Sequence, residues 1–492
     1  MLKILSEIFP LFDHLYIYQN LEYSTKDFFE WFMHHAFARN LQRKHKLDLT
    51  SKALLLSTLA VVLIIKVSIL SAWLLFLPQY LKPGCGNIFI LATQSKLFLL
   101  AVLAFFVFYS FFSPYFLIIS RLILLPFEIY TKNKIINRAK RKLGKLPSLK
   151  IVAITGSFAK TSTKNMIYTL LWKNFRVVKT PKSYNNLISI AQTILDDIKD
   201  NTEVFICEVG AYKVGEIDKV VKFLKPQIGI ITAIAPQHLE RFGSLENIAK
   251  AKFELVEGLA QDNLAVLNSQ SPFLKQMASD AKCKVVFYGS ATDPIFATSI
   301  DLTVKGTSFV LHTPKGHVLI NIPLIGIHHV QNFLAATAVV LSFGLSLNQI
   351  KLRAVKLLPT THRLEIRKEG DLTIIDNSYN TNPDSSKTSF KLLRDYPGGY
   401  KIIITPGLIE LGKHSEQENI EFARNAATVA DEIIIVGQHS KDHLIEGLTQ
   451  AKFSKEKTHL VKSLEGAMAK LSQISKPMTV VLIENDLPDQ YF

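Results

Sequence analysis

A chain of 492 residues has room for about three domains, and its 48% hydrophobic and 20% charged content excludes a disordered polymer. The net charge of +16 is unevenly placed: residues 1–150 carry 19 Lys+Arg against 7 Asp+Glu, and residues 151–492 carry 38 against 34. Basic residues set beside apolar runs point to a membrane surface and away from nucleic acid. Cys85, Cys207 and Cys283 are odd in number and widely spaced, which excludes a disulfide framework or a thiolate zinc site as the organising feature.

Residues 1–52 mix apolar and charged side chains ("LKILSEIFPLFDHLYIY", "DFFEWFMHHAFARN"). They read as interfacial amphipathic helices on the cytoplasmic leaflet, with His34 and His35 as interfacial polar residues rather than metal ligands. Residues 53–125 read as a transmembrane hairpin. Its first span is "ALLLSTLAVVLIIKVSILSAWLLF" (53–76), with one charge at Lys66, and its second is "LFLLAVLAFFVFYSFFSPYFLII" (97–119), with none. Each exceeds the roughly 20 apolar residues that a crossing needs. Arg39, Arg43, Lys44, Lys46 and Lys52 precede the first span, and Arg121, Lys132, Lys134 and Arg138 follow the second. The rule that basic flanks stay inside predicts a cell-membrane protein with two spans, both ends cytoplasmic. Residues 126–150 read as a basic connector.

From residue 151 short β-branched runs alternate with longer mixed segments: "KIVAITG", "TEVFICEVG", "IGIITAI", "LAVLNS", "KVVFYG". This predicts βαβ units around a mostly parallel sheet over 151–356. "LTIIDNS", "YKIIITPG", "DEIIIVG" and "TVVLIEN" predict a second open α/β sheet over 357–492. The fold class is therefore α/β in two domains behind an α-helical membrane region, with a cleft between the domains where ligands would bind.

"ITGSFAKTSTKNM" (154–166) follows a strand and opens a helix, the setting of a phosphate loop. Gly156 and Ser157 would offer backbone N–H groups, Lys160 would pair the β- and γ-phosphates, and Thr161 or Ser162 would offer a hydroxyl to Mg²⁺. Gly156 lies only four positions before Lys160, so on its own the stretch fits a plain strand-to-helix turn equally well.

In order along the chain, "TGSFAKTSTK", "EVGAYKVGEI" (208–217), "ITAIAPQHLERFGSLENIAKAKFEL" (231–255), "LIGIHHVQNFLAATAVV" (324–340), "THRLE" (361–365), "IIDNSYNTNPDS" (375–386) and "IELGKHS" (409–415) resemble the Mur ligase family, in its MurF-type branch. The resemblance covers about 151–492. It implies a P-loop central ATPase domain and a Rossmann-like C-terminal domain. It also implies an ATP-dependent, ADP-forming ligase that joins a carboxylate acceptor to an amino-acid or dipeptide amine through an acyl phosphate, in peptidoglycan or envelope-polymer synthesis. The implied metal set is Thr161, Glu208, His238 and Lys252, holding two Mg²⁺, with Lys252 carbamylated. A carbamate turns a cation into an anionic oxygen donor, which suits Mg²⁺. Asn332 would reach the adenine, Arg363 the γ-phosphate and Asp376 the ribose, while Tyr379, Asn380 and Asn382 shape the inter-domain face.

Four positions depart from the family pattern. Ala159 replaces the glycine before Lys160, His329 an asparagine, Asn377 an aspartate, and Gly407 another aspartate. The last two lie in the domain that chooses the amine and put D-Ala-D-Ala in question. No uridine-nucleotide domain precedes the ATP loop, which suggests a lipid-linked or membrane-proximal acceptor. The alternatives are a peptide-polymer or folate-type glutamyl ligase, and a non-catalytic nucleotide-binding membrane scaffold or sensor.

Overall fold

The computed structural model describes residues 11–21, 23–35, 50–80, 88–237, 239–303, 306–360, 362–379, 381–409 and 411–485. The chain forms two compact units, divided between Lys132 and Asn133.

The first unit is helical: α1 (Leu11–Asn20), α2 (Thr25–His35), α3 (Ser51–Tyr80), α4 (Ile88–Ser110) and the start of α5 (Ser113–Gly144). Two helices, Ser51–Leu75 and Ser113–Gly144, are long and apolar enough to cross a membrane. The second apolar run of the sequence, 97–119, is not one helix. It breaks at Phe111–Phe112, whose amides fall back on the carbonyls three residues earlier. Pro114 explains the break, because it has no N–H to return to Ser110 and fits only the first turn of a new helix. Residues 11–35 do not form isolated surface helices either. Leu15, Ile17, Tyr18 and Phe28 are buried in a cluster with Ala53, Leu56, Ala60 and Leu117, and His14 Nδ1 meets Ser113 Oγ at 2.8 Å. Lys52 pairs with Glu128 at 3.0 Å and Ser71 with Tyr109 at 2.9 Å. Both pairs sit nineteen positions apart on each side (52 to 71, 109 to 128), so α3 runs antiparallel to α4–α5.

The second unit carries the predicted α/β architecture. β1 (Lys150–Thr155), β2 (Val177–Lys179), β3 (Val204–Glu208), β4 (Ile228–Ile231), β5 (Leu264–Asn268) and β6 (Lys284–Tyr288) form a parallel sheet ordered β2-β3-β1-β4-β5-β6. Its inner strands β1, β3, β4 and β5 are buried on both faces, as parallel strands under helices are, while the edge strands β2 and β6 are half-exposed. Helix α6 (Lys160–Leu171) and helix α8 (Ile327–Ser342) cover one face through Ile167, Leu170, Phe333 and Val339, while helix α7 (Leu245–Glu257) packs elsewhere on the sheet through Phe253 and Val256. Three further strands, β7 (Phe296–Thr303), β8 (Gly306–Thr313) and β9 (Gly316–Ile322), make an antiparallel meander that the sequence reading did not include.

The C-terminal sheet is ordered β10-β11-β15-β12-β13-β14, from β10 (Glu365–Glu369), β11 (Leu372–Asn377), β12 (Tyr400–Thr405), β13 (Glu432–Val436), β14 (Thr458–Val461) and β15 (Thr479–Glu484). It is parallel except for β10. The last strand, β15, is inserted between β11 and β12, and such reversals of strand order are where open α/β sheets bind ligands.

Candidate functional site

The β1–α6 turn is held from both sides. Ser157 Oγ donates to Ala235 O (2.9 Å) and accepts from Ala235 N (3.0 Å), so the turn is tied to the segment after β4. Gly156 is required there: at φ 149°, an added Cβ would lie 2.0 Å from Thr232 Oγ1. Ala159 adopts φ 69°, ψ −6°, a left-handed conformation that disfavours a side chain. The loop thus keeps the glycine-type path without the glycine.

On the first turn of α6, Lys160 Nζ donates to Gly156 O and Thr161 Oγ1 donates to Glu208 Oε2 at 3.1 Å. Glu208 ends β3, whose register beside β1 (Ile154 opposite Glu208) delivers the carboxylate to the helix start. Burial lowers the Lys160 ammonium to about 8, with Glu208 opposing and Arg363 adding to the shift. Lys252, on α7, is 4% exposed; burial, and secondly the neighbouring Lys160, hold it well below the usual lysine range. Lys160, Lys252, Glu208 and Arg363 therefore share one electrostatic neighbourhood. Thr161 and Glu208 offer the hydroxyl and carboxylate oxygens that suit a hard cation.

A cleft between the two sheets of this unit is lined by Ala159, Ser162, Asn332, Arg363, Asn377 and Tyr379, among others. The Arg363 guanidinium lies 4.3 Å over the Tyr379 ring. His328 and His329, adjacent on α8, have ring centroids 4.0 Å apart with planes tilted by 46°, and burial pushes His328 down to about 4. Neutral imidazoles beside Asn332 make this end of the cleft uncharged.

Asp376 is placed differently from Asn332 and Arg363. It is not among the cleft-lining residues. Its carboxylate accepts from Ser378 N and Oγ (3.1 and 2.7 Å) and faces His362 Nδ1 (2.8 Å) and Arg367 (3.3 Å). Burial alone would raise its pKa; the Ser378 and His362 hydrogen bonds outweigh that and hold it below the ordinary range. His362, Glu365 and Asp376 place ligand-type atoms within 4.8 Å of one another, a trio that differs from the expected metal set. His238, Asn380 and Glu410 lie outside the described residues.

Two residues that sequence reasoning missed complete the site. Lys164 forms a buried ion pair with Glu208 (2.7 Å); its spacing of four from Lys160, one helical turn, was the available signal. Glu484, at the end of β15, accepts from Asn377, and nothing in the local sequence marks it.

Residues 154–340 match the Mur ligase middle domain, and 362–484 match the Mur ligase, glutamate ligase domain. The UDP-N-acetylmuramoyl-tripeptide--D-alanyl-D-alanine ligase of Buchnera aphidicola is 33% identical over 299 residues, 60% of this chain and 65% of that protein. Its Escherichia coli counterpart is 31% identical over 336 residues, 66% of this chain and 73% of that one. Among solved structures, MurF from Acinetobacter baumannii superposes with a TM-score of 0.66 at 28% identity, covering 72% of this chain and 77% of that one. This chain thus spans 65% and 73% of the length of these two relatives, and about half of others such as the Mycobacterium bovis ligase (49%).

Proposed function

The chain belongs to the Mur ligase family, and from that premise we propose that it is an ATP-dependent, ADP-forming ligase of MurF type acting in peptidoglycan synthesis. The observation that carries this reading is that Lys160 shares its electrostatic surroundings with Glu208, which Thr161 hydrogen-bonds, and with Arg363, which lines the cleft between the two α/β sheets beside Ala159 and Ser162.

The proposed chemistry is the one the family resemblance implies. An acceptor carboxylate oxygen attacks the γ-phosphorus of ATP, the bond to ADP breaks, and an acyl phosphate forms. An amine then attacks the acyl carbon, loses a proton, and phosphate leaves as the amide bond closes. Lys160 and Arg363 neutralise charge on the transferring phosphoryl group, where positioned cations do most of the catalytic work. Thr161 and Glu208 would hold Mg²⁺, which when bound supplies further charge neutralisation at the phosphates. Buried Lys252 would be held as a neutral amine that takes up CO₂, releasing a proton and leaving a carbamate as an additional oxygen ligand. Its burial and its depressed pKa support this assignment. Bicarbonate-dependent activity lost in Lys252→Ala tests it; full activity in that variant ends it.

The helical unit would anchor the enzyme in the membrane with the ligase domains on the cytoplasmic side. Leu54, Ile65, Ile69, Leu70, Trp73 and Leu74 of α3 are exposed, and the nineteen positions between the Lys52–Glu128 and Ser71–Tyr109 pairs correspond to a rise of about 28 Å, close to a hydrocarbon core of about 30 Å. Retention in the membrane pellet after alkaline carbonate extraction checks this, and release into the supernatant contradicts it. An anchored enzyme fits an acceptor that is lipid-linked or membrane-proximal.

Phosphate release in detergent, over a panel of acceptor carboxylates and amines that includes UDP-muramoyl tripeptide with D-Ala-D-Ala, tests the function, with Lys160→Ala as the blank. The left-handed Ala159 favours one second reading, a nucleotide-binding scaffold; nucleotide binding with no ADP release from any pair would establish it.

A further inference from the structure

Lys164 is a buried lysine held by two carbonyls and a carboxylate. Its side chain is 1% exposed, as is that of Glu208, and its Nζ lies 2.7 Å from Glu208 Oε1 as an ion pair. The same ammonium donates to Thr180 O (2.7 Å) and to Lys182 O. Two of its three donors are thus spent on the backbone of residues 180–182. The two oxygens of Glu208 are therefore divided: Oε1 faces Lys164, and Oε2 accepts from Thr161.

The loop after β2 is strapped to the backbone at the end of β3. Glu208 N donates to Thr180 Oγ1 (3.3 Å), Thr180 N to Ile206 O (3.0 Å), and Gly210 N to Asn185 O (2.9 Å). Lys164 is thus the charged link between residues 180–182 and the end of β3.

We propose that Lys164 is a positioning residue, a built-in counter-cation that keeps Glu208 a one-oxygen ligand and suppresses divalent-cation binding at that carboxylate until nucleotide phosphates add their own charge. This rests on the reading of Glu208 as a cation ligand. A unit positive charge 2.7 Å from a ligating carboxylate opposes a second cation strongly in a buried setting. Glu208 is therefore already paired before nucleotide binds, and metal enters together with nucleotide.

The test is Mn²⁺ titration of the full-length protein in detergent, read by electron paramagnetic resonance without nucleotide. Lys164→Met removes the charge and keeps the length; it binds Mn²⁺ at least about tenfold tighter than the unmodified protein. Lys164→Arg keeps the charge and stays within about twofold of it. In the double variant K164M/E208Q the gain disappears. Should Lys164→Met not fold by circular dichroism, Lys164→Gln, which keeps a neutral donor for the Thr180 and Lys182 carbonyls, is held to the same tenfold criterion. An unchanged Mn²⁺ affinity in the charge-removing variant, with Glu208→Gln still weakening Mn²⁺, overturns the role of Lys164 and leaves Glu208 as the ligand. Affinities that ignore Glu208→Gln in both backgrounds overturn the assignment of Glu208 itself.

Discussion

Asn377 donates its amide to both carboxylate oxygens of Glu484, at 3.2 and 3.1 Å, inside the C-terminal sheet. Both residues are buried, and Glu484 is fully so. An aspartate at 377 would replace the amide donor by a second buried carboxyl group that must share the proton Glu484 holds at neutral pH. Asn377→Asp therefore costs about 2 kcal/mol or more in urea unfolding at mildly alkaline pH, because two such groups cannot both ionise. The loss shrinks on acidification as the pair takes up protons. This explains in physical terms why the chain carries an amide here.

Glu484 also sets a pH dependence. Burial raises its pKa to about 8, against the partial opposition of hydrogen bonds from Ser389, Asn377 and Thr381. The folded state therefore holds a proton that the unfolded state has released above the ordinary glutamate range. Stability from this group is complete below that range and is lost as pH rises toward 8, at up to about 1.4 kcal/mol per pH unit. Glu484→Gln should flatten the fall in Tm between mildly acidic and mildly alkaline pH. A variant whose Tm profile still parallels the unmodified protein removes Glu484 as the cause.

Sequence reasoning reached what periodicity and local chemistry encode. The Ile- and Val-rich runs at 151–154, 402–404 and 433–435 became central strands because continuous apolar runs can be buried on both faces of a parallel sheet. The strand–turn–helix setting of Gly156 and Lys160 was visible for the same local reason. The rest depends on tertiary partners. Strand β2 has three residues, too few to show a period, and β7 alternates half-exposed polar side chains that resemble a loop. The helix break at Phe111–Phe112 was hidden by hydropathy, although Pro114 marked it. Lys164 and Glu208 lie 44 positions apart and meet only through the β1–β3 register.

Ala159 gives a test of strain in the phosphate loop. At φ 69° an alanine pays about 1 kcal/mol or more that a glycine does not. Ala159→Gly relieves this strain in the nucleotide-free fold, partly offset by the extra freedom of glycine in the unfolded chain, so it should raise the free energy of urea unfolding by up to about 1 kcal/mol. Because the strain is present before ADP binds, affinity by calorimetry should stay within about twofold. A glycine variant that is less stable or binds ADP more weakly would show that the loop uses the alanine methyl.

Gly407 gives the opposite case. Its φ is 90°, and a Cβ there would lie 2.5 Å from Asn419 Oδ1 and 2.8 Å from Ser440 Cβ. The surrounding groups are already committed: Asn419 Oδ1 accepts from Leu408 N (2.8 Å), and Gly407 O accepts from Asn485 Nδ2 (2.7 Å). Neither can withdraw without leaving a buried polar group unpaired. Gly407→Ala should therefore already cost about 2 kcal/mol in urea unfolding, from left-handed backbone and overpacking together, and Gly407→Asp should cost more. Restoring the aspartate of the family pattern would therefore need Asn419 and Ser440 to give way as well. If G407D folded with undiminished stability, the tight packing of Asn419 and Ser440 against this turn would not be the reason a glycine stands there.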